Sequence, residues 1–519
     1  MTNAPNAVRA LFVYALVIPM ALVLGYYLAS GSGSYFDLSS WMPVLIVFGV
    51  MSVPLLLKWH MPMLLLALNS TIVLFFLPGY LPLWFAMAAI SLTLSFAQRT
   101  LDRETRFVHA PSIVWPLLFL TAIVFVTGHF TGGFGSRIFG GGQYGAKRYL
   151  YIFAAVGAFF AILANPIPRD KALLYVGLFF LGSLGNLMSN VIPFLPREFY
   201  WLSLIFPVSA NDLGSLAFQG SFSVGIARYL GLTSASFGLF FYLLARYGIR
   251  DMLSAAKAWR FVLLTIVLVL GMLGGFRSAL ILLGLTFMFV FYFEGLLRTK
   301  YTAIFLGTFI LGTVALVPFS DRLPLSIQRT LTILPLHLSP VARYEAEGSS
   351  EWRIRMWELL LPEVPKYLFT PKGLGISGGD LDLTAELVTR GLAHSEDIMM
   401  LAGDYHNGPL SVVIPFGIWG LAGWIWFITA SIRALWLNFR YGPEALRKIN
   451  TLLLGLFLAN TVMFFFVFGG FYSEVVMFAS IVGLGLSVNG GICKPALEPA
   501  VLEPETPEIE PASALVRPV

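Results

Sequence analysis

Three pieces decide how this chain is read: Glu351-Trp352-Arg353-Ile354-Arg355-Met356-Trp357, then Pro371-Lys372-Gly373-Leu374-Gly375, then Asp404-Tyr405-His406-Asn407-Gly408-Pro409. They lie in the one long hydrophilic interval of the sequence, from Pro318 to about Gly408. On both sides of it the chain is almost continuously apolar. Polar chemistry in such a chain needs a polar place. The remainder reads as a helical scaffold that holds this interval against one membrane face.

Composition points the same way. Of 519 residues, 58% are hydrophobic and 12% charged, where a soluble domain carries roughly a quarter charged residues. The apolar runs approach the roughly 20 residues that cross a hydrocarbon core as helix. Such helices satisfy their own backbone hydrogen bonds, as a membrane requires. Runs of this length exclude a membrane β-barrel, whose strands alternate over about 10 residues. The expected fold is therefore all-α and polytopic, with about 12–14 transmembrane helices. The spans fall at 11–29, 41–57, 61–77, 82–97, 112–128, 149–164, 172–192, 225–245, 261–276, 278–296, 301–318, 409–431, 449–468 and 475–492. The pair 261–276 and 278–296 also reads as one interrupted element.

Four regions follow: a helical bundle at 1–318, a large loop with short amphipathic helices at 319–408, further spans at 409–492, and a tail at 493–519. Residues 494–519 hold six prolines and five glutamates. Such a tail buries too little surface to offset its ordering entropy, so it is expected to be disordered. The first apolar run has only Arg9 as a basic flank and no convincing small-residue cleavage site, so no removable signal is expected. One cysteine, Cys493, excludes an intramolecular disulfide and a cysteine-based metal cluster.

The net charge of +6 reads as orienting basic loops, not as a nucleic-acid surface. With the N-terminus inside, the inner loops hold Lys58; Arg99, Arg103 and Arg106; Arg169 and Lys171; Arg246, Arg250, Lys257 and Arg260; Arg298 and Lys300; Arg433, Arg440, Arg447 and Lys448. One outer loop breaks the pattern with Arg137, Lys147 and Arg148. This topology puts 319–408 outside the cytoplasm. The glycine-rich stretch 129–148 lacks the Gly-Lys-Ser/Thr ending of a phosphate loop and reads as a flexible external loop.

Several charges then fall on that outer side. Arg228 stands at the start of a span and Arg277 in a tight Gly-Gly-Phe-Arg-Ser turn. An arginine in lipid costs at least about 2.5–3.5 kcal/mol, so it faces a partner or a wet cavity, or it snorkels to the headgroups. Arg353 and Arg355 lie on an amphipathic helix that Pro362 ends, with Trp352 and Trp357 as interfacial anchors. Guanidinium groups gathered on one face suit the oxygens of a phosphorylated, lipid-linked ligand. His406 lies where the loop re-enters the bilayer and can exchange a proton near neutral pH, or simply help start the helix. Asp404 can orient it or cap the span. No metal and no cofactor is expected.

Arg228/Gly231, Arg277-Ser278, Arg353/Trp357 before Gly373/Gly375, and His406-Asn407 before Gly417/Gly420 follow one order along the chain. Over about 220–435 that order resembles the O-antigen ligase and O-antigen polymerase superfamily. The resemblance implies a C-type glycosyltransferase fold of the bacterial inner membrane, active on its periplasmic face. It implies a metal-independent transfer of glycan from an undecaprenyl-diphosphate donor to a sugar hydroxyl or a lipid A-core acceptor, in company with other polysaccharide-assembly proteins. His406 and Arg353 would then be catalytic. Arg228, Arg277, Arg355 and Asn407 would bind substrate. Inversion at the anomeric carbon is expected, because no external carboxylate pair stands out. The rival class is a lipid-linked oligosaccharide flippase or other transporter, which predicts mid-span charges and broken helices.

Overall fold

The computed structural model describes residues 51, 56–77, 79–101, 107–135, 143–208, 226, 228–393 and 395–495. The predicted spans 11–29 and nearly all of 41–57, together with Arg103, Arg106, Arg137 and the tail from 496 on, lie outside the described residues.

The protein is an all-α, multi-pass membrane protein. Among the described residues, eight helical segments are long and apolar enough to cross a membrane. In chain order the bundle helices are α1 (Leu56–Leu68), α2 (Leu83–Leu101), α3 (Pro111–Phe130), α4 (Ala146–Leu163), α5 (Ala172–Leu181) and α6 (Leu187–Val191). They continue with α7 (Leu230–Met252), α8 (Ala258–Met272), α9 (Arg277–Phe293) and α10 (Lys300–Leu316). The long interval forms α11 (Leu325–Thr330), α12 (Pro340–Leu360), α13 (Val364–Tyr367), α14 (Gly378–Thr389) and α15 (Ser395–Ala402). The chain closes with α16 (Gly408–Tyr441), α17 (Arg447–Phe466) and α18 (Phe471–Asn489).

Four expectations are corrected or settled here. The span 61–77 stops at Leu68, because Asn69 turns its amide onto the Phe179 carbonyl and the chain enters a short hairpin of β1 (Val73–Leu74) and β2 (Leu81–Pro82). The span 172–192 is borne out as one crossing segment, Arg169–Phe194, with a change of helix type inside it: α5 passes into a 3-10 stretch at Gly182–Asn186 before α6. The run 261–296 is two helices, α8 and α9, joined by the turn at 273–276. The loop helix α12 has 21 residues and is not short.

The core lies where α4, α16, α17 and α18 pack. Trp424 is fully buried among Phe427, Phe464, Phe471 and Phe478, with ring centroids 5.1–5.6 Å away. Each such aromatic pair adds about 0.5–1.5 kcal/mol beyond area burial. At the other extreme, α10 has no buried residue.

The loop is bolted to the bundle through a break in α16. Pro415 and Gly417 (φ +66°) interrupt that helix. Broken helices leave orphaned carbonyl and amide groups, which a membrane interior does not tolerate. The loop supplies the partners: Lys372 N–H donates to Ile414 O and Gly373 N–H to Pro415 O, each at 3.0 Å, while Ile418 N–H donates to Leu368 O at 2.8 Å. A β-carbon at Gly417 would lie 2.6 Å from the Leu368 oxygen, so glycine is required there twice over. The Pro/Gly-rich run of the sequence is thus a docking strip. It also reaches the glycine-rich loop, since β3 (Gln143–Tyr144) pairs antiparallel with β4 (Ile376–Ser377) and Leu374 N–H donates to Tyr149 Oη at 2.8 Å. The described ends of 129–148 are therefore pinned, while 136–142 lie outside the described residues.

The loop end of the bundle carries the starts of α7, α9, α16 and α18. At the opposite end Lys448 pairs with Asp251 at 2.9 Å, and Glu294 accepts the Ile249 and Arg250 amides at 2.8 and 2.9 Å.

Candidate functional site

Four arginines distant in sequence converge at the loop end. Arg228 precedes α7, Arg277 opens α9, Arg329 lies on α11 and Arg353 on α12. The helix α12 gathers them. Its Glu345 pairs with Arg228 at 3.4 Å. Its Ala346 carbonyl and Ser350 hydroxyl accept from Arg277 Nη2 at 2.7 and 2.8 Å. Positions 346, 350 and 353 follow helical spacing, so Arg353 lies on the face that meets Arg277.

Arg329 is only 5% exposed. Its Nη1 donates to the Gly275 carbonyl, and its buried Nε has no partner among the described residues. Burial, followed by Arg228 and then Arg277 and Arg353, holds this guanidinium down to about 10, with Glu345 opposing. Burial first, then Arg277 and Arg228, also pull Arg353 below the usual arginine range. The Arg353 Nε is likewise buried without a partner. Among the described residues, one carboxylate, Glu345, bears on Arg329 against three cations. Uncompensated buried charge is costly. A cluster of perturbed groups of this kind marks a candidate functional site.

His406 stands beside the nest. Its backbone is left-handed at φ +48°. Its ring lies between Trp352 and Phe468, 5.1 Å from each centroid, and Phe468 also lies 5.7 Å from the Arg353 guanidinium carbon. The His406 Nδ1 is 3.8 Å from Asp404 Oδ1 and has no hydrogen-bond partner among the described residues. Burial lowers the imidazole pKa; Asp404 raises it and Arg353 lowers it further. His406 is therefore neutral at pH 7. Neighbours fix its position: Trp357 Nε1 donates to Tyr405 O at 3.0 Å, and Arg148 donates to the Ala402 carbonyl. Asn407 is the N-cap of α16, its side-chain oxygen accepting from Leu410 N–H at 3.0 Å.

Beneath the nest is a cavity of about 280 Å³ between α7, α9, α17 and α18, lined in part by Thr233, Phe276, Ser278, Asn460, Phe468 and Glu474. Phe276 lies 5.8 Å below Arg228, and Phe468 touches Arg353 and His406. A second cavity of about 180 Å³ shares Ser234, Phe237, Leu282 and Asn460 with it and continues to Asn69 and Asn186. On the other side of α9 runs an apolar groove of about 460 Å³ between α8, α9 and α10. Its lining runs from Phe261 up to Ile327 and Leu331, which flank Arg329 in sequence. Since α10 buries nothing, the groove opens to its surroundings.

Of the residues singled out from sequence, Arg228, Arg277, Arg353 and His406 come together. Arg355 is exposed on α12. Asn407 is a helix cap, and Trp352 and Trp357 pack on the His406 segment. Arg329, Glu474 and Phe468 went unnoticed. Arg329 sits in an ordinary-looking Ile-Gln-Arg-Thr segment, and its only signal was an arginine between apolar neighbours. Glu474 was the one charge in its span and carried a signal that charges in spans usually do. No protein-family model and no curated protein matches the chain.

Proposed function

We propose that this protein is a glycosyltransferase of the membrane, moving a glycan from an undecaprenyl-diphosphate carrier to a sugar hydroxyl or lipid A-core acceptor. The convergence of Arg228, Arg277, Arg329 and Arg353 on a cavity, with Glu345 as the carboxylate among them, carries this reading. A diphosphate supplies the missing negative charge, and guanidinium forks match its oxygens. We assign the loop face to the periplasm on the distribution of basic residues.

The chemistry follows from the geometry. The acceptor oxygen attacks the anomeric carbon in the cavity of Phe276, Ser278 and Phe468. The bond to the diphosphate breaks, and its electrons leave with the phosphate oxygen. Charge that grows there meets preorganised guanidinium groups in a partly dry site, the arrangement that lowers such barriers most. Neutral His406, held between two rings, orients the acceptor. The carrier's isoprenoid chain lies in the apolar groove, whose upper end meets Arg329.

Broken helices favour a transporter: the break at Gly182–Asn186, where Asn69 and Asn186 line the second cavity, and the break in α16 at Gly417. A single assay separates the two. Purified protein in liposomes, given its lipid-linked glycan without nucleotide or ion gradient, is expected to release undecaprenyl diphosphate and extend an acceptor, with or without EDTA. Translocation of the glycan without any new glycosidic bond would mark a transporter instead.

A further inference from the structure

We infer that Glu474 takes the proton from the acceptor hydroxyl, an assignment that rests on the glycan-transfer reading. Glu474 stands on the first turn of α18 and, among the described residues, is the only carboxylate that lines the 280 Å³ cavity. That volume is near the lower end of the roughly 300–1,000 Å³ of small-molecule sites.

The walls of the cavity differ. One rim carries Phe276 and Ser278, which flank Arg277, with Arg228 over the Phe276 ring. Phe468 leads from the cavity to Arg353 and His406. Glu474 enters from α18. Among the described residues no cation lies within ion-pair distance of it. Its hydrogen bond comes from the Gly470 amide, long at 3.4 Å. The carboxylate is therefore not spent on neutralising the nest. Inversion needs the attacking oxygen and the leaving oxygen on opposite sides of the anomeric carbon. Cations on one rim and a base on another wall suit that requirement.

His406 fits the role less well. Its ring is clamped between Trp352 and Phe468, and Arg353 disfavours its protonated form. A proton taken by His406 would place a second cation against Arg353. A proton taken by Glu474 removes a negative charge from an apolar-walled cavity as the diphosphate gains one. In the balanced step, the acceptor O–H passes its proton to a Glu474 oxygen and the acceptor oxygen bonds to the anomeric carbon. The bond from that carbon to phosphate oxygen breaks toward the diphosphate. Glu474 returns the proton to water afterwards.

Binding of undecaprenyl diphosphate and transfer of the native lipid-linked glycan are measured on the same liposome preparations of wild type, Glu474→Gln and Glu474→Ala. We expect Glu474→Gln to bind undecaprenyl diphosphate within about 2-fold of wild type and to lose transfer on the order of 100-fold or more. Added formate is expected to restore part of the transfer to Glu474→Ala, because the truncated side chain leaves room for a second carboxylate. Wild-type turnover in Glu474→Gln overturns the assignment. So does loss of binding and transfer together without rescue, which marks a structural role. Failure of the wild type to bind undecaprenyl diphosphate removes the glycan-transfer reading itself, and this assignment with it.

Discussion

Arg329 donates to the carbonyl oxygen of Gly275, a residue 54 positions earlier in the chain. That bond ties the loop helix α11 to the turn that presents Arg277. It also holds a buried cation in place with its Nε unsatisfied and three other guanidinium groups bearing on it. Such an arrangement costs stability, and on the proposed reading a bound diphosphate would offset that cost.

Replacement of Arg329 by methionine should therefore separate stability from binding. The empty variant should melt higher than wild type by about 2–4 °C, since a buried ionic group exchanged for an apolar one of similar size is often stabilising. The melting-temperature rise that undecaprenyl diphosphate gives the wild type should disappear. A lower melting point with an intact ligand shift would show Arg329 to be structural only.

Arg277 spends its Nη2 on α12, through Ala346 and Ser350. Arg277→Ala should lower transfer by on the order of 100–1,000-fold, the loss typical of one preorganised donor, with membrane insertion unchanged. Ser350→Ala removes one of the two acceptors and should cost far less. Arg277→Lys and Arg228→Lys should both fail to restore transfer, because lysine lacks the planar fork. Turnover measured beside gel-filtration profiles decides the point, and a fully active Arg277→Ala would remove that residue from the site.

His406 gives a pH signature of known sign. Its folded pKa lies below the ordinary value of 6.5. Between those two values the unfolded chain binds a proton that the folded chain does not. The stabilisation is present above about pH 6.5 and is lost as the pH falls toward the folded pKa. This is the reverse of a histidine that gains a carboxylate partner on folding. The fall in melting temperature between about pH 6.5 and 5 should be smaller in His406→Gln than in wild type. Equal slopes would mean that His406 titrates normally.

Two glycines line the apolar groove, Gly284 on α9 and Gly312 on α10, and a β-carbon on either meets nothing within 4 Å. A tryptophan at either position fills the groove without displacing packed neighbours. Gly284→Trp and Gly312→Trp should raise KM for a donor with a full-length isoprenoid chain by on the order of 10-fold, and leave a short-chain donor unaffected. Unchanged KM for the long chain would place the tail elsewhere while leaving the diphosphate site intact.

Much of the architecture was legible in the residues. Apolar runs predicted 112–128, 149–164, 301–318 and 449–468 to within a few positions of α3, α4, α10 and α17. The reason is local: a helix in lipid closes its own hydrogen bonds, so length and hydropathy determine it. Arg277 and His406 were legible because a polar side chain at the edge of an apolar run contradicts its surroundings. The break in the 172–192 span was not legible, because the polar groups that accommodate it, Asn69 and Asn186, are 117 residues apart.

By itself, then, the sequence determined that the chain crosses a membrane many times as helix, and that one long polar interval before Gly408 interrupts the spans. Only the tertiary structure decided which polar residues meet. Arg329 joined the nest, Arg355 fell to the exposed side of the same helix that carries Arg353, and Asn407 became a cap. Helix formation depends on neighbours along the chain. Convergence depends on α12 crossing the ends of α7 and α9, and those contacts join residues some 70 to 120 positions apart, at Arg277–Ser350 (73) and Arg228–Glu345 (117).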